Sequence, residues 1–215
     1  MTKSDVRAHC MHRLKSLPEC TKKVRDENIN KILVEIIRVL GAKRILFYWP
    51  MGFEADIRKS VLSLRRKHKI FLPFMDGVSF KMVPFRYPLE RKTFGIYEPR
   101  NSYRKYNLID VAIVPVVGVD LSLRRVGFGK GMYDRFFPTL KTKPFTIFVQ
   151  PSLCRTMQDV CDDYDVQGDL LITPHGIQSM RKTSNVKRTT RRKRYCRDER
   201  VSRIFNFKKD YRISF

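Results

Sequence analysis

Three glycines occupy five consecutive positions in Gly127-Phe128-Gly129-Lys130-Gly131, and Tyr133-Asp134-Arg135 follow almost at once. Glycine has no Cβ, so such a run lets the backbone turn tightly or come close to another molecule. Arg125 and Lys130 bring two cations to the run, and a helix expected to begin near Gly131 would add free N–H groups and a favourable dipole. Asp134 supplies a hard oxygen of the kind that holds magnesium. The set suits a polyphosphate with its magnesium ion. Two familiar phosphate loops are excluded by spacing. A Walker loop needs Ser or Thr after its lysine, where Gly131 stands, and a dinucleotide fingerprint needs glycine at position 132, which is Met132. Two plainer readings remain: a tight strand-to-helix turn, and an Asp134 that only complements a helix start.

The elements around this loop are legible. Residues 27–41, ENINKILVEIIRVLG, space their apolar side chains three and four apart and end in glycine, which predicts an amphipathic helix. RILFYW (44–49) reads as a short strand, and IRKSVLSLRRK as a helix. KIFLPF (69–74) and VSFKMVPF (78–85), divided by Asp76-Gly77, read as a hairpin. The most apolar run, 111–119, reads as a buried strand; FTIFVQ (145–150) and LLIT (170–173) add two more. Strands alternating with helices predict a three-layer α/β/α domain with a largely parallel sheet. Ligands bind such sheets at the carboxyl ends of the strands, and the glycine loop follows the most apolar strand.

Composition narrows the classes. With 42% hydrophobic residues the chain is globular. No signal-peptide core and no membrane-length apolar run occurs, so a cytoplasmic protein without a membrane span is expected. The five cysteines are scattered without a C-x-x-C pair, which favours reduced thiols over disulfides or zinc. His9 and His12 share a helix face but have no companion ligands, so both are read as surface residues. The net charge is +24, and residues 180–215 carry fourteen Lys/Arg against three Asp/Glu. Such charge attracts anions of many kinds or merely keeps a surface soluble. The segment from 179 reads as a basic C-terminal tail, a linker or disordered arm with nucleic acid as a possible partner, and its last residues, RIFNFKKDYRISF, alternate aromatics weakly.

Residues 120–136, DLSLRRVGFGKGMYDRF, resemble the signature of the 5-formyltetrahydrofolate cyclo-ligase family, which reads roughly D-x-x-G-x-R-L-G-x-G-[GK]-G-Y-Y-D-R. Asp120, Arg125, Gly127, Gly129, Gly131, Tyr133, Asp134 and Arg135 match it. Leu123 and Met132 depart from it, standing where the family usually has glycine and tyrosine. FYWPMGF with Glu54, KIFLP, FGIYEP and DVQGDLLIT are similar in order, so the resemblance spans residues 3–178 and leaves 179–215 as an extension. It implies an ATP- and Mg2+-dependent conversion of 5-formyltetrahydrofolate, possibly polyglutamated, to 5,10-methenyltetrahydrofolate with release of ADP and phosphate.

The site residues implied are these. Arg125 and Lys130 act on the phosphates, with Val126, Gly127, Phe128, Gly129, Gly131, Met132 and Tyr133 completing the ATP loop. Lys3 and Arg7, one helical turn apart, close over the nucleotide, although two basic residues on a helix are equally a solvated face. Asp134 and Asp169 hold the metal, with Asp165 as a less favoured substitute, and any of these acids could be structural. Glu54 meets the donor edge of the pterin, or else caps the next helix. Trp49 and Met51, with Phe128 and Tyr133, wall the folate or belong to the core.

Overall fold

The computed structural model describes residues 1–92 and 95–179; the basic extension beyond Ser179 lies outside the described residues. Helix α1 (Lys3–Lys15) starts at a capping box in which Thr2 and Asp5 bond each other's backbone N–H. Helix α2 (Glu19–Leu40) begins eight residues earlier than the apolar periodicity indicates, behind Pro18, and stops at Gly41. Strand β1 (Arg44–Leu46), helix α3 (Arg58–Leu64), and strands β2 (Lys69–Asp76) and β3 (Ser79–Pro84) follow. The small ladder of β4 (Glu90–Arg91) with β5 (Tyr97–Glu98) precedes β6 (Val111–Pro115). Next come the hairpin of β7 (Gly118–Val119) with β8 (Arg125–Val126), the five-residue helix α4 (Met132–Phe136), and β9 (Phe145–Val149). Strands β10 (Leu170–Thr173) and β11 (Gly176–Gln178) complete the described chain.

Seven strands form one sheet in the order β11-β10-β9-β6-β1-β2-β3. The five inner strands are parallel, and β3 and β11 pair antiparallel at the two edges. Period-two alternation divides the side chains between two cores. Ile45, Phe47, Ile113 and Ile147 meet Leu33 and Ile37 of α2 and Val61 of α3, while Leu46, Val114, Phe148 and Leu171 meet Tyr133 and Phe136 of α4 with Leu123. The second face is covered mostly by loops, because α4 is short.

Helix α1 stands apart on a satellite core, where Val6, Cys10 and Leu14 pack against Val117, Val126 and Cys154. Here the structure corrects the reading of the cysteines as reduced thiols: Cys10 and Cys154 form a disulfide. The pairing joins residues 144 positions apart, so spacing along the chain held no trace of it. Cys20 and Cys161 are free. Burial pushes the Cys161 thiol up to about 12, which argues against a nucleophile there.

Candidate functional site

Strands β1 and β6 lie side by side, but the chain leaves β1 toward β2 on one side and β6 toward β9 on the other. Their carboxyl ends therefore diverge and leave a crevice, the switch point at which open α/β sheets bind ligands. The turn holding Glu54 follows β1, and the glycine loop follows β6.

The loop is shaped from beneath. Arg125 is 5% exposed, its Nη1 lies 3.3 Å from Asp134 Oδ2, and its guanidinium stands 4.9 Å from the centre of the Tyr133 ring. A Cβ on Gly127 would come within 2.5–2.6 Å of that guanidinium, so only glycine fits over it. Gly129 and Gly131 hold φ values of 93° and 58°, the region open to glycine at little cost. Leu123 sits at φ 53° without being glycine, and its side chain is fully buried in the second core. A left-handed backbone costs roughly 1–2 kcal/mol for an L-residue, and burying a leucine contributes about 1.5–3. The packing outweighs the strain.

Several expected residues converge. Arg7 Nε donates to the Gly127 carbonyl at 2.8 Å, placing α1 against the loop. Phe128 reaches across to Phe53, ring centres 5.1 Å apart, while Gly129 and Lys130 are exposed at the tip. Met132 is half-buried and its carbonyl accepts from Ser79 Oγ. Val126 serves the satellite core. Arg135 was matched to the motif without a role: its Nε donates to the Val78 carbonyl and its Nη2 to the Lys130 carbonyl, which braces the loop against the β2–β3 turn.

Three expectations change. Helix α4 has only five residues, so little macrodipole stands behind Gly131 and an anion must be held by loop N–H groups and side chains. Arg125 is paired beneath the loop rather than presented at its surface, which makes it a support for the loop and for Asp134. Asp169 lies at the amino end of β10, where its Oδ2 accepts the Thr146 N–H near the start of β9. Asp165 precedes the residue that bonds Asp134. Its neighbour Val166 donates its N–H to Asp134 Oδ1 at 3.1 Å, and Asp165 itself is ion-paired to Lys3. Burial alone would lower the Lys3 pKa; the bond to Asp165 and its charge raise it instead. Asp134 and Asp165 fit a magnesium ion that arrives with phosphates, since such an ion needs only one or two carboxylates. Among the described residues no group of three or more His, Cys, Asp or Glu forms a self-sufficient cage.

At the Glu54 turn opens a cavity of about 450 Å³ lined by Trp49, Met51, Glu54, Arg58, Tyr87 and Tyr97. Trp49 stacks on Phe85 at 5.8 Å and meets Tyr87 edge-on at 6.3 Å. Tyr133 is buried against Phe80 and lines no part of that cavity; burial raises its phenol pKa. Tyr87, Leu89 and Tyr97, which close the outer wall, were not expected at the site, and only the FGIYEP match hinted at this stretch. Glu54 Oε2 accepts the Met51 N–H at 2.8 Å, and the residue is 6% exposed. Burial pushes its carboxyl up from 4.5 to about 7, against the pull of that N–H and of the Arg125 charge.

A doubly wound α/β protein with a basic loop and an acid-bearing cavity at its switch point belongs to the class that binds and transforms small molecules there. A model of the 5-formyltetrahydrofolate cyclo-ligase family matches residues 1–174. The 5-formyltetrahydrofolate cyclo-ligase of Mycoplasma pneumoniae is 27% identical over 173 residues, covering 80% of this chain and 98% of its own. That of Haemophilus influenzae is 26% identical over 129 residues, 56% of this chain and 69% of its own. The NMR structure of Aquifex aeolicus 5,10-methenyltetrahydrofolate synthetase superposes with a TM-score of 0.74 at 25% identity, covering 89% of this chain and 99% of that one. The chain belongs to the 5-formyltetrahydrofolate cyclo-ligase family, and is thereby a ligase of folate metabolism.

Proposed function

We propose that this enzyme uses ATP and magnesium to close 5-formyltetrahydrofolate to 5,10-methenyltetrahydrofolate, releasing ADP and phosphate. The observation that carries the reading is the Phe53–Phe128 contact, which joins the Glu54 turn to the glycine loop so that a folate in the cavity faces a nucleotide on the loop. In the overall reaction the formyl oxygen takes the γ-phosphoryl group, N10 attacks the activated carbon, and phosphate leaves with that oxygen. The protein's task is positioning and charge stabilisation.

The geometry supports an assignment of roles. Loop N–H groups and Lys130, exposed at the tip, hold the phosphates; Arg7 fixes the loop carbonyl from α1. Arg125 holds Asp134 in place. Asp134 and Asp165 are the carboxylates that would hold magnesium, which, when bound, neutralises phosphate charge. Lys3 then shares Asp165 with the metal or turns to the nucleotide. Glu54 meets the pterin's donor edge, and Trp49 with Met51 lines the apolar wall.

The test is direct. Full-length protein incubated with 5-formyltetrahydrofolate, ATP and magnesium should generate the absorbance of the methenyl product. Folded protein that forms none, beside an active cyclo-ligase control, refutes the reading.

A further inference from the structure

The loop Arg100-Asn101-Ser102-Tyr103-Arg104-Lys105-Tyr106 lies away from the crevice, between β5 and β6. It interleaves cations with tyrosines. Tyr103 is fully exposed, whereas Tyr106 is anchored, its ring 5.0 Å from Phe71, 4.8 Å from Lys69 Nζ and 5.9 Å from the Arg104 guanidinium. A second cavity of about 380 Å³, which adjoins the first at Tyr87, opens beside the loop, lined by Arg86, Tyr87, Arg100, Asn101, Ser102 and Tyr106. Its charged lining residues are both arginines. Among the described residues, Lys69, Arg86, Arg100, Arg104 and Lys105 make no ion pair. The acid that senses Arg100 is Glu90, and it is bonded first to Lys92.

Unpaired cations around a pocket call for an anion, and the tyrosines say which kind. A chain of carboxylates would use the arginines and gain nothing from a fully exposed aromatic ring. A single-stranded nucleic acid uses both: phosphates on Arg86, Arg100, Arg104 and Lys105, one base on Tyr103, and a second in the cavity against Tyr87 and Tyr106. Duplex bases are stacked on each other and offer no face to Tyr103. The chain's net charge of +24 adds long-range attraction for any such strand. We propose that the 100–106 loop and its cavity form a single-stranded nucleic-acid site without base specificity, distinct from the crevice at β1 and β6.

The binding titration needs neither folate nor nucleotide, so its failure is distinguishable from failure of the proposed catalytic activity. Full-length protein is titrated into a labelled uridine oligomer of about twelve nucleotides, followed by anisotropy across a salt series. Tyr103→Ala should weaken binding about tenfold through lost stacking. Replacing Arg100 and Arg104 together by Ala should flatten the slope of log affinity against log salt by about 1.4, two single-strand phosphates. Both variants should keep the wild-type circular dichroism spectrum and methenyl-forming turnover. Unchanged binding in both variants overturns the proposal by assigning the affinity to other basic residues. So does a duplex of equal length binding as tightly, or no binding at low salt. A loss of folate turnover in folded Tyr103→Ala also overturns it, because the loop would then serve the folate cavity.

Discussion

Replacing Glu54 by Gln tests the electrostatics of the crevice without touching its shape. The native carboxyl titrates at about 7 and an exposed one at 4.5. Between those values the folded protein holds a proton that the unfolded chain releases, so wild-type stability falls as pH rises through this window and levels off above it. The shift of about 2.5 units corresponds to about 3 kcal/mol of lost stability once both states are ionised. At about pH 5 the same linkage leaves a penalty of only about 1 kcal/mol. Glu54→Gln has no such slope. Urea unfolding of both proteins at about pH 5 and pH 8 should show the variant gaining about 2–3 kcal/mol on the wild type across the interval. Taking the difference between two pH values removes any pH-independent effect of the amide, including its bond to the Met51 N–H. In function the direction reverses: the variant should bind folate less well while retaining nucleotide. A stability gap that does not move with pH would refute the burial argument for Glu54.

Four further outcomes are expected. Lys130→Ala should lower kcat by about 100- to 1000-fold if its charge acts in the transition state, and a loss of only a few-fold would make Lys130 a solvated loop residue. Asp134→Asn and Asp165→Asn should each raise the magnesium concentration needed for half-maximal rate, whereas Asp169→Asn should leave that titration unchanged; an Asp169 effect as large as the others would restore it as the metal ligand. Leu123→Gly relieves the left-handed strain but empties a core position, so chemical denaturation should show a net loss of about 1–3 kcal/mol. Truncation after Met180 should leave methenyl formation nearly intact, as measured by turnover at saturating substrate, if residues 1–178 form the catalytic unit.

Much of the scaffold was legible because its signals are local. The α2 periodicity, the Asp76-Gly77 hairpin and the apolar 111–119 run, which forms β6 over 111–115 and then breaks before β7, each follow from neighbours a few residues apart. The glycine loop was legible as a loop, and the spacing of its glycines fits the positive φ values at Gly129 and Gly131. What spacing could not carry was pairing at a distance. Arg125 looked available for phosphate until the fold set Asp134 against it, nine residues on and beneath the loop. Asp165 and Asp169 are four residues apart and alike in type; the start of β10 at Leu170 commits Asp169 to the Thr146 N–H at the amino end of the strand. The outer wall of the cavity was hidden for a similar reason, since Tyr87 and Tyr97 lie on irregular chain whose path depends on tertiary packing.

The Cys10–Cys154 bond also has a mechanical meaning. It closes a covalent ring around residues 10–154, which hold five contiguous strands of the main sheet, from β9 across to β3. Strands β10 and β11 lie outside that ring, at one margin. Among the described strands, tension applied to the chain just after Ser179 therefore meets β11 first, and its antiparallel bonds to β10 yield one after another. The parallel pairing of β10 with β9 is loaded next. Unravelling along the backbone then halts at Cys154, with the glycine loop and the Glu54 turn still enclosed. A pull that enters from this end can strip the hairpin, but it cannot draw apart the two halves of the crevice without also breaking a covalent bond or shearing the sheet as a block.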